Sequence, residues 1–122
     1  MKCILIADDH PFVRACLRNI LHQYPDWRVF EAENGRDAIS KAEQLRPDLI
    51  VLDLSMPVMN GLEAARELKR LMPAVPLLLW TSFADSDVEG VAKAAGFNAV
   101  ASKSDGSPVL LQNIRKLLPA AA

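Results

Sequence analysis

Three acids, two hydroxyls and one amine stand where the apolar runs of this 122-residue chain end. Asp8 and Asp9 follow CILIA (3–7), Asp53 closes LIVLD (49–53), Thr81 and Ser82 end VPLLLWT (75–81), and Lys103 follows AVAS (99–102). Two carboxylates roughly 4 Å apart repel by about 4 kcal/mol at an effective dielectric near 20. Three of them in one crevice therefore need a counter-charge. Mg²⁺ fits that need, because it prefers carboxylate and carbonyl oxygens and leaves positions for water and phosphate oxygens. Zinc fits poorly: His10 and His22 have no ligand spacing to Cys3 or Cys16, and His10 reads as a solvent-facing or helix-capping residue. Each residue alone has an ordinary alternative. Asp8-Asp9 before Pro11 could cap a helix and complement its dipole, Asp53 could cap a turn, and Lys103 could be a solvated loop charge. Thr81 could be a plain strand residue and Ser82 a turn residue.

Positioning these groups together requires strands that end at one rim. The runs named above, with WRVFEA (27–32), are short and continuously apolar, the pattern of strands buried on both faces. Between them apolar residues recur at helical spacing: Val13, Leu17, Ile20, Leu21; then Ala38, Ala42, Leu45; then Leu62, Ala65, Leu68, Met72. Val88, Val91, Ala92, Ala95 and finally Leu110, Ile114, Leu117, Leu118 complete the series. Helix-end chemistry agrees: Pro11 and Pro108 suit first turns, Asn60 and Ser107 can cap, SDVE (86–89) has capping-box form, and Gly96 can end the fourth helix. Five strands alternating with five helices predict an α/β, doubly wound parallel sheet with helices on both faces. In such sheets the ligand crevice lies outside the carboxyl ends of the strands.

Composition narrows the class further. The chain is 51% hydrophobic and 24% charged with a net charge of -1, so it has no electrostatic footprint for nucleic acid or an anionic membrane. Two cysteines without a pairing pattern read as buried reduced thiols, and the N-terminus reads as neither signal peptide nor membrane span. A cytoplasmic location follows as the expectation. The final PAAA reads as a frayed end, and EAARELKR (63–70) as an exposed helix face with the pair Glu67–Arg70. No repeat or linker interrupts residues 1–122, which read as one domain.

At ADDHPFVR (7–14), LIVLDLSMPVMNGLEAARELK (49–69), WTS (80–82) and ASKSD (101–105) the chain resembles the receiver domain of two-component response regulators. DDHP, and the absence of proline directly after Lys103, are similar to the NarL/FixJ (LuxR-type) subgroup. The resemblance implies a CheY-like, flavodoxin-like sheet of order 2-1-3-4-5. It implies that Asp53 accepts a phosphoryl group from a sensor histidine kinase or phosphotransfer protein. Asp9 and Asp53 would then hold Mg²⁺ directly, Asp8 through water, and Ser55 through its backbone carbonyl. Lys103 would pair with a phosphoryl oxygen, Thr81 would swing toward the phosphate, and Ser82 would lie beside it. The same resemblance implies a signalling domain rather than an enzyme, homodimerisation on activation, and transcriptional output through a helix-turn-helix domain that these residues do not encode.

Two positions depart from that pattern. Val100 stands where the family carries a rotating Tyr or Phe, which throws weight on Thr81 and on backbone shifts. Phe83 sets a bulky apolar group where water would reach an acyl phosphate, with the expectation that it slows phosphate loss. A vestigial receiver-fold docking module is the alternative, favoured by Val100 but opposed by the complete site. A Mg²⁺-dependent phosphatase with an aspartyl nucleophile is disfavoured, because Ser55 occupies the second acid of a D-x-D pair.

Overall fold

The computed structural model describes residues 1–82 and 84–118. Its strands are β1 (Lys2–Ala7), β2 (Trp27–Ala32), β3 (Leu49–Leu52), β4 (Leu77–Thr81) and β5 (Ala99–Ser102). The helices are α1 (Pro11–Leu21), α2 (Gly35–Leu45), α3 (Gly61–Leu71), α4 (Ser86–Ala95) and α5 (Gly106–Leu117), with a 3₁₀ turn at Lys103–Asp105. All strand pairs are parallel and the order is β2-β1-β3-β4-β5, as expected from the sequence.

Alternation along each strand divides the core in two, because successive side chains point to opposite faces. Leu5, Ala7, Ile50, Leu52, Leu77 and Leu79 meet Ala38 and Ala42 of α2, Ala64, Ala65 and Leu68 of α3, and Ala92 and Ala95 of α4. Ile4, Ile6, Leu49, Val51, Leu78 and Ala101 meet Leu17 and Leu21 of α1 and Leu110 and Ile114 of α5. Alanine dominates the contacting stripes of the first layer, so three helices sit close to the sheet. Each fully buried Leu or Ile contributes roughly 1.5–3 kcal/mol. The expectation of burial on both faces holds for the central strands but not for β2 or β5, which are the sheet edges and are largely half-buried.

Helix ends follow local chemistry, with two corrections. Asn60 caps α3 in a full capping box with Glu63, Asn34 caps α2, and Gly96 closes α4 at φ 113°. The cap of α4 is Asp85, which accepts from the Val88 amide, so the box read at SDVE begins one residue too late. Ser107 is not a cap: α5 starts at Gly106 because the 3₁₀ turn feeds the chain directly into it, leaving Ser107 and Pro108 inside the first turn. Both cysteines are free and only half-buried. Glu67 and Arg70 pair on the exposed face of α3.

At the amino-end rim of the sheet, Asn98 ties three elements together. Its side-chain oxygen accepts from Lys69 Nζ on α3 (3.0 Å) and from the Leu77 amide at the start of β4 (2.9 Å). Lys69 also donates to the Val75 carbonyl (3.0 Å). Among the described residues no helix is long and apolar enough to cross a membrane. Residues 119–122, read above as a frayed end, lie outside the described residues.

Candidate functional site

The carboxyl ends of β1, β3 and β5 bring Asp8, Asp9, Asp53 and Lys103 to one rim, as the alternation of strands and helices requires. Asp8 and Asp53 are buried, while Asp9 is about one-third exposed. Lys103 Nζ lies 2.8 Å from Asp8 Oδ2 and 3.5 Å from Asp53 Oδ1. It is the counter-charge for the first acid and a looser one for the second. Carboxylate oxygens of Asp8, Asp9 and Asp53 and a ring nitrogen of His10 lie within 4.8 Å of one another.

Backbone amides fix the Asp8 and Asp53 carboxylates, and the Arg14 guanidinium holds the Asp8 backbone. The His10 amide donates to Asp8 Oδ1 (2.9 Å), the Leu54 amide donates to Asp53 Oδ1 (2.9 Å), and Arg14 donates to the Asp8 carbonyl (2.6 Å). Asp9 Oδ1 differs: it is buried without a hydrogen-bond partner among the described residues, although His10 Nδ1 stands 3.1 Å away. A buried acceptor left unmatched costs free energy unless something positive reaches it. That orphan oxygen, beside two further carboxylates, fits an oxygen-seeking divalent cation. The adjoining cleft, about 450 Å³, is lined by Asp9, Leu54, Ser55, Met56, Pro57 and Asn60.

Asp53 feels the crowding directly. Burial pushes its pKa above the ordinary aspartate value and the nearby Asp8 charge adds to the rise. Lys103 and the Leu54 amide pull the other way without cancelling it. The chain thus holds its central carboxylate against its own electrostatics.

The loop after Asp53 is shaped to press against it. The Met59 amide donates to the Pro57 carbonyl (2.7 Å) across Val58, whose φ of 68° is strained for a β-branched residue. The Gly61 amide donates to the Leu54 carbonyl (2.9 Å), and a Cβ on Gly61 would fall 2.1 Å from the Asp53 carbonyl oxygen. Gly61→Ala is therefore expected to push the Asp53 backbone aside and lower stability by about 1–3 kcal/mol. Thermal denaturation reads the loss, and an unchanged Tm would contradict the close approach.

The remaining predicted residues fall as follows. Thr81 is fully buried at the end of β4, opposite Ser102 of β5. Ser82 is exposed on the following turn and has no hydrogen bond or ion pair to the acids among the described residues. Ser55 is exposed on the cleft wall. Val100 is half-buried against the α2–α3–α4 layer. Phe83 lies outside the described residues. His10 is exposed at the N-cap position of α1, as read, but its ring makes no cap bond and turns to the acids instead. Trp80, the residue before Thr81 on β4, has the Lys103 ammonium 5.4 Å from its ring centre. Its place immediately before Thr81 was the available signal.

The family model described as "Response regulator receiver domain" matches residues 4–115. The chain belongs to that family. Among curated receiver-containing relatives, the response regulator protein VraR of Staphylococcus epidermidis is 34% identical over 114 residues, 93% of this chain. The match covers 54% of VraR, so the chain spans about half the length of that relative. A LuxR-family two-component response regulator from Aurantimonas superposes with a TM-score of 0.88 at 30% identity, covering 95% of this chain and 84% of that one. The response regulator domain of Thermotoga maritima CheB gives 0.89 at 28% identity, with 100% and 99% covered. Both likenesses match the receiver fold described above.

Proposed function

We propose that residues 1–122 act as one phosphorylatable receiver, taking a phosphoryl group on Asp53 from a sensor histidine kinase or phosphotransfer protein. One observation carries the reading: three strand ends deliver Asp8, Asp9, Asp53 and Lys103 to a single rim, where Asp9 keeps a buried oxygen unmatched. Asp9 and Asp53 would hold Mg²⁺ directly, Asp8 through water, and Ser55 through its carbonyl oxygen. Bound there, the ion supplies positive charge to shield carboxylate from phosphoryl oxygens.

The chain's own residues do the rest. An Asp53 oxygen forms the new P–O bond as the P–N bond of the donor phosphohistidine breaks, and the donor imidazole departs with that electron pair. No general base is needed, since Asp53 reacts ionised and the transition state spreads charge over three equatorial oxygens. Lys103 leaves its 2.8 Å contact with Asp8 for a phosphoryl oxygen, and Thr81 turns its hydroxyl to another. Ser82, at the same strand end, lines the approach.

Phosphorylation adds roughly 1.5–2 negative charges and three strong acceptors. Coupling of about 1–3 kcal/mol is typical of such linkage, whereas moving a population from 1:99 to 99:1 takes about 5.5 kcal/mol. The switch is therefore graded unless homodimerisation or a partner adds to it. The resemblance to the NarL/FixJ (LuxR-type) subgroup implies transcriptional control, exercised in the cytoplasm through a DNA-binding unit outside these residues, and the likeness to a LuxR-family regulator from Aurantimonas agrees with that subgroup.

Acetyl phosphate with Mg²⁺, followed by mass spectrometry, tests the reading: one adduct on Asp53 is expected, and its absence favours a phosphate-independent docking module. Turnover of ordinary phosphoesters would indicate a phosphatase. Without donor, free Mg²⁺ at about 100 times its Kd should stabilise the fold by about 2.7 kcal/mol, reversed by a chelator. A Tm indifferent to Mg²⁺ would remove the metal from the account.

A further inference from the structure

Trp80 is an expensive residue for its place. It projects from β4 into the α1–α5 layer beside Leu78 and Ala101, and its indole nitrogen is buried without an acceptor among the described residues. An aliphatic side chain would fill that space with no donor left over, so the ring needs a reason besides packing. Its face supplies one. Lys103 Nζ sits 5.4 Å from the ring centre while bonded to Asp8 at 2.8 Å and lying 3.5 Å from Asp53. The Lys103 side chain is 19% exposed, so it is largely removed from water. Tryptophan has the strongest cation-binding face of the aromatic side chains, and the attraction grows as water is removed.

The geometry also says when the contact matters. With Asp8 and Asp53 unscreened, Lys103 is held by two carboxylates and the ring adds little. Once those charges are satisfied by other partners, the carboxylates release Lys103. A flexible four-carbon stem would then take the ammonium into solvent. An electron-rich wall beside the rim keeps it at the cleft. Strand register makes the wall firm, since Trp80 faces Ala101 on β5, two residues before Lys103.

We propose that Trp80 is a positioning residue for phosphoryl transfer, holding the Lys103 ammonium at the rim through its indole face. The inference rests on the reading of Asp53 as acceptor. Trp80→Leu is expected to slow labelling of Asp53 by acetyl phosphate about fivefold, while Trp80→Phe, which keeps a ring and discards the unmatched N–H, stays within about twofold of the parent. In a Lys103→Ala background, Trp80→Leu should cause no further slowing. Equal rates for parent and Trp80→Leu, or an equal slowing in both backgrounds, would overturn the proposal. A parent that takes no phosphate would instead overturn the acceptor reading. The contact itself has a phosphate-free test, in which proton NMR follows the Lys103 ε-methylene signal, assigned by its loss in Lys103→Ala. It should lie upfield in the parent and in Trp80→Phe and return to the ordinary lysine position in Trp80→Leu. An ordinary position in the parent would show that the ring does not hold the ammonium.

Discussion

Asp53→Asn is expected to lose the phosphate adduct entirely and, without magnesium, to melt at a higher temperature than the parent. Loss of the adduct would follow from removing the ionised oxygen that is proposed to form the P–O bond. The stability gain follows from burial and the Asp8 charge, which together raise the Asp53 pKa more than Lys103 and the Leu54 amide lower it. The folded state therefore binds its proton more tightly than the unfolded chain does. Between the ordinary aspartate value, about 3.9, and the raised folded value, the unfolded state carries fewer protons, so stability falls as pH rises through that window. Below it the penalty is absent. Asparagine removes both the slope and the penalty, so the variant is expected to gain stability above the window and none below it. Denaturation from pH 3 to pH 8 in chelator checks the sign. A parent whose stability does not fall relative to that of the variant across the window, or a variant labelled at the parental rate, would contradict the account.

Lys103→Ala acts in the opposite direction on stability. It strips the 2.8 Å partner from Asp8, which is only 2% exposed, and leaves Asp53 facing that charge uncompensated. Removing one partner of a buried pair typically costs about 3–5 kcal/mol, and the His10 amide retained on Asp8 places this case at the lower end. Labelling by acetyl phosphate should fall about 10²–10³-fold, the usual effect of deleting a group that meets developing charge. The two losses are expected to separate under Mg²⁺: a divalent charge among the acids would restore most of the stability but not the rate, because it would not supply the ammonium that pairs with a phosphoryl oxygen. Full recovery of the rate would show that Lys103 is only a structural counter-ion.

Much of this was legible in the sequence because strand ends and carboxylates coincide in it. Runs such as LIVLD fix where a buried strand stops, and a parallel sheet collects its stops at one rim, so Asp8, Asp53 and Lys103 meet although 95 residues separate the first from the last. Asn60 and Gly96 were readable for a similar reason, as each is the one residue in its neighbourhood suited to its helix end. Competition defeated the other two caps. Asp85 and Ser86 are both good caps and adjacent, while Ser107 is displaced by a 3₁₀ turn that no periodicity announces. The turn of the His10 ring toward the acids, the unmatched Asp9 oxygen and the indole beneath Lys103 depend on rotamers, which the pattern of residue types does not encode.

The knot at Asn98 bears on how far a signal can travel. Lys69, Leu77 and Asn98 clamp the far ends of α3 and β4 to the loop leaving α4, well away from the acids. With that end tied down, any displacement of α4 is expected to be larger toward Asp85 than toward Gly96. The first turn of α4 is thus the part of that helix left freest to shift, and its last turn the part most firmly held.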